Sequence, residues 1–140
     1  MEMFRIGEAA DLLGVSADTV RRWIDADRLA AVRDPQGHRV IAGKDLAAFA
    51  RGRSADPDER ADASSARNRL RGIVVNVVKD TVMAQVDIQA GPFRVVSLMS
   101  REAVDELDLT VGSLAVAVIK STTVVVERVA PPGGRGRTAP

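Results

Sequence analysis

The 140-residue sequence has no cysteine and a single histidine, His38. Without a thiol there is no disulfide framework, no thiolate nucleophile and no cysteine-ligated metal, and the redox compartment cannot be read from it. No apolar run approaches the roughly 20 residues that span a bilayer. The opening MEMFRIGEAADLL also lacks a basic region followed by an apolar core. A cytoplasmic location and no membrane partner are therefore expected. An excess of one charge is missing too: 20 basic against 19 acidic side chains leave a formal net charge of +1. Overall charge thus says nothing about nucleic acid, and only the placement of the charges can. With one histidine and no grouped carboxylates in a pocket motif, nothing supplies a reaction class, so no enzyme is expected.

What is present changes character along the chain. Trp23, Phe4, Phe49 and many Ala and Leu fall in the first fifty residues, whereas Ile73 to Val86 and Leu114 to Val129 are dominated by Val. That shift from helix formers to strand formers predicts an α+β chain of two small domains. The expected boundaries are a mainly helical domain over 1–51, a polar, solvated connector over 52–63, a strand-rich domain over 64–130 and a disordered tail over 131–140. Arg135 and Arg137 in the tail could touch a phosphate backbone, but an unstructured terminus is the plainer expectation. Domains of this size bury modest cores, so the second is expected to gain stability from subunit contacts, as a homo-oligomer.

In the first domain, Ile6, Ala9, Ala10 and Leu13, then Val20, Trp23 and Ile24, recur at helical spacing on either side of Gly14. Ser16 stands where an N-cap is needed, Asp18 suits the positive first turn, and the helix is expected to run to about Asp27. Asp34-Pro35-Gln36-Gly37 predicts a hairpin within Leu29 to Ile41, and a third helix should turn Leu46 and Phe49 inward. Helix, turn, helix and wing is the order of a winged helix-turn-helix. Ser16, Thr19, Arg21 and Arg22 would lie on the recognition helix, where Arg pairs with guanine acceptors and Ser or Thr reaches bases or phosphates. Arg33, Gln36, His38 and Arg39 would lie on the wing, suited to backbone or minor-groove contacts. The alternative is that Arg21 and Arg22 form a solvated helix face beside Asp18 and Asp25. Trp23 is expected in the core. FRIGEAADLLGVSADTVRRWIDADRLAAVRDPQGHRVI resembles the MerR-like and excisionase-like DNA-binding domains. That resemblance implies double-stranded DNA as partner, with the second helix in the major groove and Gly37-His38-Arg39 against the backbone. The MerR regulators proper continue into a long dimerising helix, whereas a polar run intervenes here, so their promoter-untwisting mechanism is not carried over.

In the second domain, alternating runs over Ile73 to Val78 and Val82 to Ile88 predict a hairpin about Asp80, a short polar residue that tolerates positive φ. A third strand is expected over Phe93 to Leu98. Ser100 should cap a short helix, Arg101 to Leu107, with Val104 and Leu107 inward. Two further strands are expected over Leu114 to Ile119 and Val124 to Val129. Five strands with a helix between the third and fourth describe an OB-like barrel. The SARN run at Ser65 to Asn68, Gly72-x-Val74, Ser100-x-x-Ala-x-x-x-Leu107, Gly112 and the IKST run from Ile119 resemble a molbindin (Mop/TOBE) domain. Asp80 stands where that family often has glycine. The resemblance implies molybdate or tungstate as ligand, bound at subunit interfaces by Ser65, Arg67, Lys120 and Ser121. Hydroxyls, a guanidinium and an ammonium are also what a tetrahedral dianion needs. The alternative is that Arg67 and Lys120 are ordinary solubilising charges at strand ends, and the same donors would accept sulfate or phosphate. The two domains together predict a regulator that couples the oxyanion to operator binding. The rivals are a molybdate storage or homeostasis protein, and a DNA-architectural factor that uses the barrel only to oligomerise.

Overall fold

A computed structural model describes residues 2–53 and 64–130. These fall into two units, and most of the expected connector, the whole expected tail, Arg135 and Arg137 lie outside the described residues.

The first unit places three helices about a small sheet. Strand β1 (Met3–Arg5) leads into α1 (Ile6–Leu13), then α2 (Ala17–Asp25), β2 (Val32–Arg33), β3 (Arg39–Ala42) and α3 (Gly43–Arg51). Helix α1 ends on Gly14 at φ 67, a left-handed conformation that costs a glycine little. Ser16 caps α2, its Oγ accepting the Thr19 backbone N–H at 3.2 Å. The predicted hairpin forms as β2 and β3, with Val32 opposite Val40. Strand β1 was not anticipated; it pairs Phe4 with Ile41 and makes the sheet three-stranded, in the order β1-β3-β2. Ala9, Ala10, Val20, Leu29, Ile41 and Leu46 form the buried centre, with Trp23 and Phe49 packed against it. At about 25 cal/mol per Å², removing such apolar surface from water holds the helices to the sheet.

The second unit is a curled antiparallel sheet. It comprises β4 (Asn68–Lys79), β5 (Met83–Ala90), β6 (Phe93–Ser100), α4 (Arg101–Glu106) and β7 (Leu114–Ile119). The order is β6-β5-β4-β7. Strand β4 is long because it serves two partners: residues 68–73 pair with β7, and 73–79 pair with β5. The register shifts between Val74 and Asn76, a bulge that bends the strand from one partner to the other. Inside the bend Gly72 is required, since a Cβ there would lie 2.3 Å from the Gln89 carbonyl oxygen. Val74, Ala84, Val86, Ile88 and Val104 fill the inner face.

Three expectations are corrected. Val124 to Val129 forms no ladder, and Val124, Val125, Val126 and Val129 stand 44–87% exposed, so among the described residues the five-strand barrel reduces to four strands and a short 3-10 turn (Ser121–Thr123). Leu107 is not inward. It is the C-cap of α4 and 64% exposed, and Leu109 packs against the core instead. Asp80 does not use positive φ, which among non-glycine residues is found at Asp27 and Asp108. Its carboxylate instead accepts the backbone N–H groups of Val82 and Met83 at 2.8 and 2.7 Å, building the turn that way.

Candidate functional site

On α2, Arg21 and Arg22 are exposed and stand in the middle of the helix, about one turn past the Ser16 cap. Ser16 Oγ and Thr19 Oγ1 lie 2.9 Å apart, and Arg22 Nη2 donates to Thr19 Oγ1 at 3.2 Å. Arg21 pairs with Asp18 at 2.6 Å. An exposed pair of this kind is worth about 0–1 kcal/mol, so the guanidinium is available to a stronger anion. On the wing, Arg33 Nη1 donates to the Gly37 carbonyl at 2.6 Å. The Asp34 carboxylate accepts the backbone N–H groups of Gln36 at 3.0 Å and His38 at 2.8 Å, tying the turn. Partial burial raises the Asp34 carboxyl, but those amides and the adjacent His38 outweigh it and hold it below the ordinary value. Gln36 and His38 remain exposed.

Arg39 differs from its neighbours. Its Nη1 lies 2.8 Å from Asp25 Oδ1 in the last turn of α2, fourteen residues earlier, and its side chain is 27% exposed. It therefore ties the β2–β3 hairpin to α2. The structure brings Ser16, Thr19, Arg21 and Arg22 onto one element and Arg33, Gln36, His38 and Arg39 onto its neighbour, with the Asp25–Arg39 bridge between them.

In the second unit, the two motif runs, more than fifty residues apart in sequence, meet. Asn68 stands opposite Ile119 in the β4–β7 ladder, and its Nδ2 donates to the Ile119 carbonyl at 3.1 Å. One step further along each chain stand Arg67 and Lys120. Arg67 Nη1 donates to the Ser64 carbonyl at 3.2 Å, while Ser64 Oγ accepts the Ala66 N–H at 3.1 Å, folding the run around the buried Ala66. After Lys120 the chain turns sharply, Thr123 donating through both N–H and Oγ1 to the Lys120 carbonyl. The Lys120 ammonium has no partner among the described residues. Ser65, Arg67, Lys120 and Ser121 are all exposed, so one chain offers an open set of cationic and hydroxyl donors, half-enclosed at most.

Three residues outside the expected sets help to build these arrangements. Asn68, inside the SARN run, pins the ladder end, and its amide directly after Arg67 was the available signal. Asp25 anchors the wing. Arg53 lies over the Trp23 ring with Cζ 4.3 Å from the centroid, a contact for which no local pattern exists.

Residues 3–54 match the helix-turn-helix domain model and residues 64–126 match the TOBE domain model. Over 63 residues the second half is 41% identical to molybdenum-pterin-binding protein 1 of Clostridium pasteurianum, spanning 93% of that protein and 44% of this chain. It is 48% identical to a protein of Haemophilus influenzae named "Probable molybdenum-pterin-binding protein", again over 63 residues, spanning 91% of it and 44% of this chain. Among solved structures, a molybdate binding protein from Sporomusa ovata is similar at 32% identity with a TM-score of 0.45, covering 46% of this chain and 97% of that one. The chain belongs to the molybdenum-pterin-binding protein family through its TOBE domain, which here stands behind a helix-turn-helix domain.

Proposed function

We propose that this chain is a DNA-binding transcriptional regulator whose TOBE unit binds molybdate or tungstate and whose occupancy alters operator binding. The observation that carries the reading is the pairing of Asn68 with Ile119 at the end of the β4–β7 ladder, which sets Arg67 and Lys120 one residue beyond it, at the ends of the two neighbouring strands. A ladder end whose flanking residues are an arginine, a lysine and two serines suits a tetrahedral dianion through charge-assisted hydrogen bonds. The relatives' names point to a molybdenum-containing ligand. DNA binding is supported by the cap, the exposed Arg21 and Arg22, and a wing bridged to their helix.

The donors are exposed in a single chain, which supports assembly of the site from more than one copy. Val125, Val126 and Val129 point the same way, being 86%, 87% and 83% exposed, since apolar side chains so placed favour burial against another surface. An anion that bridges chains favours one assembly over another, and that differential affinity is what can reach the operator.

The test is a DNA-binding assay on the purified chain over a set of genomic fragments, with and without molybdate, tungstate or sulfate. A selective shift that molybdate changes supports the reading. Arg22→Ala should weaken that shift and leave anion uptake nearly unchanged, and Lys120→Ala should do the reverse. Anion uptake with no selective shift sinks the regulator and leaves a storage protein. A selective shift without anion uptake leaves an architectural factor.

A further inference from the structure

Trp23 stands at a joint of the first unit. It lies near the C-terminal end of α2, and its carbonyl accepts the backbone N–H groups of Arg28 at 2.9 Å and Leu29 at 3.3 Å, which begin the path to the wing. Its ring meets Phe49 of α3 with centroids 4.9 Å apart and planes at 49°. The guanidinium of Arg53, two residues past the end of α3, covers the same pair, 4.3 Å from the Trp23 centroid and 5.9 Å from that of Phe49. A planar cation over an indole face is attracted by the ring quadrupole and also stacks on it, which a lysine reproduces only in part. The Arg53 N–H donates to the Ala50 carbonyl at 3.0 Å, so the backbone that carries this cation is itself held to α3.

We propose that Arg53 is a positioning residue for DNA recognition: by clamping Trp23 against α3 it fixes the tilt of α2 and the start of the wing without touching DNA itself. This rests on the reading that α2 enters the major groove. Arg53 thereby stands apart from Arg21 and Arg22, whose place is on the reading face. A residue that positions a helix and one that grips a phosphate both weaken binding when lost, but they differ in salt dependence. A lost phosphate contact lowers the slope of log affinity against log salt by about 0.9, whereas a lost positioning contact leaves it alone.

The experiment compares Arg53→Gln and Arg53→Lys with the unaltered full chain, using a duplex selected by the unaltered chain from a randomised pool. Arg53→Gln should weaken binding about two- to fivefold, with an unchanged salt slope, and Arg53→Lys should recover part of the loss. Trp23 is the only tryptophan, so its emission reads the stack directly and should shift in Arg53→Gln and less in Arg53→Lys. Unchanged affinity, unchanged emission or a slope reduced by about one each overturns the proposal. If the unaltered chain selects no duplex, the DNA-binding reading fails and takes this proposal with it; if it does and Arg53→Gln binds equally well, only the proposal fails.

Discussion

Gly72 and Asp87 show how single residues hold the strand-rich unit. A Cβ at Gly72 would meet the Gln89 carbonyl oxygen at 2.3 Å and Ile88 Cγ2 at 2.7 Å. The first obstacle is backbone and cannot swing aside. Gly72→Ala is therefore expected to lower the stability of this unit by about 1–3 kcal/mol, read as a lower urea midpoint; a midpoint equal to the parent's would show that β4 and β5 can part there at no cost. Asp87 is 3% exposed and sits in the middle of β5. The Gln85 amide donates to it at 3.0 Å and the Arg94 guanidinium at 2.5 and 3.1 Å, which holds its carboxyl below the ordinary value of 3.8. Asp80, through the Met83 and Val82 amides, and Asp105, through Lys79, are lowered as well. A carboxyl lowered in the fold contributes stability that is complete above the unfolded value and is lost as pH falls through the folded one. Unfolding midpoints of the whole chain should thus decline as pH drops below 3.8. Asp87→Asn should start lower at neutral pH and decline less steeply, so parallel curves for the two would remove Asp87 from the acid sensitivity.

Helix α2 carries the exposed Arg21 and Arg22, and its start is set by one side chain. Ser16→Ala removes the acceptor for the Thr19 N–H and a neighbour of the Thr19 hydroxyl. It should cost the first unit about 1 kcal/mol and reduce DNA affinity while leaving anion uptake alone, as gel shifts and equilibrium dialysis would show. This cap was legible in the sequence, and so were α1, the wing and α3: α1 through its apolar period and the Gly14 stop, the wing through its Asp34-Pro35-Gln36-Gly37 turn, and α3 through the inward Leu46 and Phe49. Strand β1 was not. Its three residues, Met3, Phe4 and Arg5, carry no period of their own and become a strand only because β3 lies beside them. The first half of β4 escaped for a related reason, since Asn68 to Gly72 is polar and is organised by pairing with β7. Val124 to Val129 failed in the opposite direction: high strand propensity does not make a strand without a neighbour to complete the ladder.

At the scale of the molecule, the composition shift near residue 60 predicted two units, and the SARN and IKST runs, singled out by their residues alone, stand at one end of the β4–β7 ladder. Sequence could not supply that placement, because it depends on which strands pair across more than fifty residues. Val126→Asp tests the proposed assembly of the site from more than one copy. The side chain is 87% exposed, so a single chain tolerates the charge, while an apolar contact between copies does not. Sedimentation should show a smaller assembly, and dialysis should show weaker molybdate uptake in the same variant. An unchanged assembly would place the subunit contact elsewhere.

The facing of Asn68 and Ile119 across one ladder bears on how such a unit travels between proteins. Paired residues of this kind lie about 5 Å apart, so the chain enters and leaves the sheet through nearly the same point. A cassette with that geometry can be spliced into a surface loop of an unrelated host without prising the loop open, or simply appended to a host's end. Grafting residues 64–123 into a loop of a bright fluorescent protein should leave the host folded and fluorescent, because the insert enters and leaves its sheet at nearly the same point.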